Sequence, residues 1–188
     1  KEEKGAKEVV ADTNYDYKAV DWYEMLDFES EPIMYGLDRK NDGYMPRERG
    51  IIIHEILSNI KTFDESESVL DKYIDDGIIG EDEAKYLLNK FNEIANLKEI
   101  KEAYSKDAIV KNEMSILTPK GMLRPDRYVE LEDKVVVIDY KTGTHREEYC
   151  SKQREYMFAL QDMGIRKNIE GYLLYIGEKI EVVPVFMD

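Results

Sequence analysis

Lys134-Val135-Val136-Val137-Ile138-Asp139-Tyr140-Lys141-Thr142-Gly143 runs four β-branched apolar residues straight into two charges of opposite sign. Four such residues in a row are apolar on both faces, as in a strand covered from both sides. Period-two alternation places Asp139 and Lys141 on the same face of that strand. Charges at the end of a buried strand cost desolvation unless they are paired or hold a metal. An isolated Asp-x-Lys reads most simply as a salt-bridged strand end. The residues on either side turn the reading toward chemistry.

Upstream, residues 108–117 and 122–129 read as two extended segments broken by Thr118-Pro119-Lys120-Gly121, and Leu131-Glu132-Asp133 is a polar turn before the strand 134–142. If 122–129 and 134–142 pair about that turn, Asp126 falls opposite Asp139. Two carboxylates brought together on one sheet repel, and a divalent cation is the usual remedy. Such an ion polarises a scissile phosphate and lowers the pKa of its water. Lys141 can orient that water or balance transition-state charge.

Working outward, Ile52, Ile53, Ile56, Leu57 and Ile60 predict a helix over about 50–60. A second helix covers 66–75, ended by Asp75-Asp76-Gly77, and a third covers 81–102 with Ala84, Leu87, Leu88, Phe91, Ile94 and Ala95 in one stripe. The acidic runs Glu65-Ser66-Glu67 and Glu81-Asp82-Glu83 read as solvated helix starts. Downstream come a helix over 148–163, stopped by Gly164, and a hairpin of 172–176 with 180–186 across Gly177-Glu178-Lys179. Residues 1–13 read as a charged tail or linker, and 14–48 show no assignable periodicity. Residues 14–188 are expected to form one domain, with a helical region at about 50–103 and a sheet with its helix at about 107–188. The order of helices, three strands, helix and two strands means one sheet flanked by helices, an α/β class.

The 188 residues are 43% apolar and 36% charged, the composition of a soluble globular chain. The longest apolar runs, 51–53 and 135–138, are far too short to span a bilayer, and no charged-then-apolar leader suggests secretion. A chain opening on Lys1 reads as an excised or trimmed piece. One cysteine, Cys150, excludes an internal disulfide, a four-thiolate zinc site and an iron–sulfur cluster, and a cytoplasmic setting is expected. The net charge of −14 argues against tight independent binding to nucleic acid. The acidity is uneven: residues 107–188 hold 12 basic and 15 acidic side chains, the first 106 hold 15 and 26.

Four motifs follow in order. They are Gly50-Ile-Ile-Ile-His54-Glu-Ile-Leu57, the segment 121–127 with Pro125-Asp126-Arg127, Asp139-Tyr-Lys141-Thr-Gly143, and Tyr149-x-x-x-Gln153-x-x-Tyr156. Together they resemble the PD-(D/E)XK nucleases of the RecB type, known from nuclease domains of bacterial helicase–nucleases. The resemblance implies a restriction-endonuclease-like mixed central sheet flanked by helices, with an added N-terminal helical region. It implies Mg²⁺ or Mn²⁺ held by His54, Asp126, Asp139 and the main-chain carbonyl of Tyr140, with Asp126, Asp139 and Lys141 catalytic. An imidazole ligand makes Mn²⁺ especially acceptable. Gln153, Tyr156, Tyr149 and Arg127 would line the site and touch DNA, and Glu113 is a candidate further carboxylate.

Each of these has a plainer reading. His54 on an apolar helix suits a satisfied core histidine, and Ser58 one turn on excludes a zinc-protease helix. Gln153, on a face with Tyr149, Tyr156, Leu160 and Met163, could bond a buried carbonyl. His145 and Arg146 suit a solvated loop. Lys111, Lys120, Arg124, Arg127, Arg146, Lys152 and Arg154 lie around the motifs and are expected phosphate contacts. No Gly-x-x-x-x-Gly-Lys-Ser/Thr is present, so this sequence carries no ATPase. The expectation is therefore a metal-dependent deoxyribonuclease, an exonuclease of DNA repair and recombination acting within or beside a helicase. The rival readings are a catalytically weak DNA-binding or scaffolding module of a repair complex, and an RNA-processing or transposon-type nuclease.

Overall fold

A computed structural model describes residues 46–187, so the expectations for the tail at 1–13 and the segment before residue 46 lie outside the described residues. Four α-helices are present in this part: α1 (Pro46–Ser58), α2 (Ser66–Asp75), α3 (Glu81–Ala95) and α4 (Glu147–Asp162). The strands are β1 (Ile109–Asn112), β2 (Ile116–Thr118), β3 (Gly121–Leu123), β4 (Arg127–Glu130), β5 (Lys134–Lys141), β6 (Asn168–Ile176) and β7 (Ile180–Val185). No helix among the described residues is long and apolar enough to cross a membrane.

The architecture is α/β. Strands β1-β4-β5-β6-β7 form one mixed sheet, antiparallel except where β5 and β6 run parallel, joined through α4. Strand β5 sits at its centre and does what four β-branched residues require. Val136, Ile138 and Tyr140 pack with Ile56, Leu57, Leu87 and Phe91 of the α1–α3 layer. Val135 and Val137 pack against Tyr156, Met157 and Leu160 of α4 on the other face. Helix α4 can come this close because β6 offers Gly171: a Cβ there would run into the Met157 sulfur and stand 3.2 Å from Gln153.

Several boundaries differ from the sequence reading, each for a local reason. The segment 108–117 is two strands, because Glu113 takes a left-handed φ of 52° and ends the ladder. Its partner segment 122–129 is also two, since Arg124-Pro125-Asp126 leaves the sheet at a residue with no amide hydrogen to donate. Between these breaks β2 and β3 pair only with each other, as a two-stranded ribbon. Helix α3 stops at Ala95 rather than near 102; the chain turns there and makes a 3₁₀ turn at Lys101–Tyr104. Strand β6 starts at Asn168, four residues before the 172 expected for the hairpin, because it follows β5 from Lys134 onward. The Glu81-Asp82-Glu83 run is not wholly solvated: Glu83 is buried and paired with Arg49 at 2.8 Å.

Candidate active site

The β4–β5 register pairs Arg127 with Ile138, so the next residues along are Asp126 and Asp139, on the open side of the ladder. Asp126 is held from two directions. Its Oδ2 accepts the Tyr140 amide hydrogen at 2.6 Å and lies 3.5 Å from His54 Nδ1. His54 comes from α1 and meets the Tyr140 ring edge-on at 5.8 Å. Tyr140 in turn shares a hydroxyl hydrogen bond of 2.9 Å with Tyr104. Asp139 is ion-paired with Lys141, whose Nζ stands 4.4 Å from the centre of the Tyr149 ring.

Helix α1 is clamped at the end that carries His54. Asn112 donates to the Ser58 carbonyl at 2.6 Å, one turn past His54. Arg127, fully buried, donates to the carbonyls of Ile60 (2.7 Å), Lys61 (2.6 Å) and Ala103 (3.0 Å) and lies over the Tyr104 ring at 3.9 Å. The expectation that Arg127 touches DNA is therefore corrected: its guanidinium is spent on main-chain carbonyls in the core.

The ionisation states follow from this crowding. Burial opposes charge on Asp126, but His54, Lys141 and the Tyr140 amide outweigh it and hold the carboxyl below its ordinary range. Burial and the neighbouring Asp126 push Asp139 up. Burial works against a charged His54, yet Asp126 and Asp139 raise its pKa overall. Lys141, disfavoured by burial, is raised by Asp139 and Asp126 and stays an ammonium. Glu113 is pushed up to about 7 by burial and by Asp126, with Arg124, 3.9 Å away, pulling the other way. Glu113 thus belongs to this group, and its amide donates to the Asp126 carbonyl at 2.9 Å.

On the α4 side, Gln153 donates to the Val137 carbonyl at 2.8 Å and is buried, as is Tyr156. Both side chains, expected to touch DNA, lie inside the fold between α4 and the sheet. The Tyr156 phenol is driven up first by burial, then by Asp139, Asp126 and Glu113. The Tyr156 hydroxyl, Gln153 Oε1 and Thr142 Oγ1 are buried with no hydrogen-bond partner among the described residues. Tyr149 is half-buried over Lys141. Of the other expected phosphate contacts, Arg146 faces Glu148 at 3.5 Å and Arg154 donates to the Phe186 carbonyl at 3.1 Å, while Lys120 is exposed. His145 is half-exposed but ordered against the fold, stacked on Tyr175 at 3.9 Å and 3.1 Å from Glu181.

No protein-family model matches this chain, and no curated protein matches it in sequence.

Buried Asp139 and partly buried Asp126 lie side by side, with the Lys141 ammonium on the first and the His54 imidazole on the second. The two carboxylates and the imidazole are the groups here with lone pairs to offer a cation, while the ammonium offers none. Buried polar atoms such as the Tyr156 hydroxyl, Gln153 Oε1 and Thr142 Oγ1 take a partner from solvent or a ligand. Among the described residues no three His, Cys, Asp or Glu side chains already converge as a cation cage. Asp139 is turned to Lys141, and Asp126 to His54 and the Tyr140 amide. Tyr104 and Asn112, which brace Tyr140 and α1, carry no sequence signal that would have singled them out.

Proposed function

We propose that this chain is a metal-dependent deoxyribonuclease with a restriction-endonuclease-like fold, hydrolysing phosphodiester bonds in DNA repair or recombination beside a helicase. The observation that carries the reading is the approach of Asp126 and Asp139 at the open end of β4 and β5, with His54 and Lys141 ion-paired to them. His54, Asp126, Asp139 and the Tyr140 carbonyl would hold the cation. A bound Mg²⁺ or Mn²⁺ supplies Lewis acidity toward a phosphate oxygen and acidifies a coordinated water.

The chain's own residues supply the rest. Lys141, kept cationic by two carboxylates, can donate to a non-bridging phosphate oxygen as negative charge grows there. Water adds to phosphorus as the bond to the departing deoxyribose oxygen breaks; the water gives up a proton and the departing oxygen gains one. Glu113, with a carboxyl that titrates near neutrality, can hold or release a proton at its Oε atoms at working pH. Tyr140, bolted through Tyr104, presents the amide that orients Asp126. The test is incubation of end-labelled single-stranded, duplex and tailed DNA, with an RNA of equal length, in Mg²⁺, Mn²⁺ or EDTA. Metal-dependent shortening of DNA supports the reading, and intact DNA at high enzyme with both metals overturns it. Preferential loss of RNA would transfer the site to RNA processing.

A further inference from the structure

The ribbon of β2 and β3 leaves the sheet at Glu113 and rejoins it at Asp126, so it rises directly from two of the clustered carboxylates. Its two faces are both apolar. Ile116 is buried on the α4 side, with Leu123 packed against the same cluster. Leu117 and Met122 are cross-strand partners, and opposed residues in an antiparallel pair project from the same face. That face is bare: Leu117 is 83% and Met122 62% exposed. Adjacent apolar side chains bare on one face and flanked by cations form a contiguous contact surface rather than scattered apolar residues.

The tip is tied by side-chain hydrogen bonds as well as exposed. Thr118 Oγ1 donates to the Gly121 carbonyl at 2.7 Å and accepts the Lys120 amide at 3.2 Å. Gly121, at a φ of 137°, takes a conformation that side chains disfavour. The charge is also distinctive. In a chain of net charge −14, residues 114–125 hold Lys120 and Arg124 and no acidic side chain. Leu117 lies four residues from Glu113, and Met122 four from Asp126. At about 3.3 Å per extended residue that is roughly 13 Å of chain, a few nucleotides from the carboxylates.

We propose that the β2–β3 ribbon is a platform for single-stranded DNA, on which bases lie against Leu117 and Met122 while Lys120 and Arg124 take the phosphates. This rests on the nuclease reading and deepens it by naming where the strand is held. Apolar surface flanked by cations matches a polymer with flat uncharged bases on a charged backbone. An acidic protein surface would match the cations but not the bare apolar pair, and an apolar one the reverse.

The test compares affinity for a thymidine 20-mer with that for an abasic 20-mer of equal charge, by fluorescence anisotropy with Ca²⁺ present. Wild type is expected to prefer the thymidine oligomer, and Leu117→Ser/Met122→Ser to lose on the order of tenfold for it while binding the abasic oligomer as before. Lys120→Glu is expected to weaken both. All three positions are solvent-exposed, and a thermal melt checks that each variant folds. Equal wild-type affinity for the two oligomers, or unchanged affinity in the double serine variant, overturns the platform. Metal-dependent DNA cleavage in the same preparation tells the two failures apart. Cleavage with an unaffected double variant sinks only the platform, whereas absent cleavage sinks the nuclease reading.

Discussion

Replacing Arg127 with methionine keeps most of the side-chain volume and removes the guanidinium that joins three carbonyls in the core. Those carbonyls, of Ile60, Lys61 and Ala103, receive hydrogen bonds of 2.7, 2.6 and 3.0 Å. Bonds from a charged donor are worth about 1.5–3 kcal/mol each, and a buried acceptor stripped of its donor loses a similar amount. Against this, the variant no longer buries a cation, which returns part of the sum. A net loss of about 4 kcal/mol is expected, a large share of the 5–15 kcal/mol typical of a whole domain. For a chain of this size that lowers the melting temperature by roughly 8–16 °C. Urea unfolding followed by circular dichroism, with calorimetry for the midpoint, measures it. The damage should also reach the site, because two of the carbonyls lie just beyond the helix that carries His54. A variant melting within about 3 °C of wild type but impaired in DNA binding would refute this and restore Arg127 as a phosphate contact.

Three further outcomes are expected. Titration calorimetry with Mn²⁺ should show binding to the wild type that Asp139→Ala abolishes; undiminished binding would remove Asp139 from the metal set. Lys141→Ala should stay folded, with Asp139 taking up a proton in place of its lost partner, yet hydrolyse DNA about a hundredfold more slowly; near wild-type turnover would make Lys141 structural. Glu113 carries a folded-state pKa raised from 4.5 to about 7, so the folded chain binds this proton more tightly than the unfolded one and gains stability as pH falls through 7 toward 4.5. Without metal, Glu113→Gln should therefore stabilise the protein at pH 8 relative to wild type and not at pH 5, read from melting temperatures at the two values.

What the linear pattern determined was the sheet's centre and the pairing at its end. Four consecutive β-branched residues can be buried on both faces only between two layers, so the α/β sandwich around Val135–Ile138 was legible. A three-residue turn between two strands sets register by counting, and counting alone puts Asp126 across from Asp139. Counting could not say which polar side chains turn inward. Arg127 stands next to a carboxylate in sequence, where a surface cation is the common case, and the carbonyls of Ile60, Lys61 and Ala103, 67, 66 and 24 residues away, make its burial tolerable. Gln153 and Tyr156 carry the right spacing for a helix face, but Gly171 on another strand decides that the face is packed shut. Glu113 joined the site because a left-handed residue breaks one strand opposite the Pro125 break in its neighbour, and the ribbon between them exists only as that pair. Periodicity is a property of one segment, and it reports which residues can face the core. Which of them meet there depends on partners supplied by distant parts of the chain.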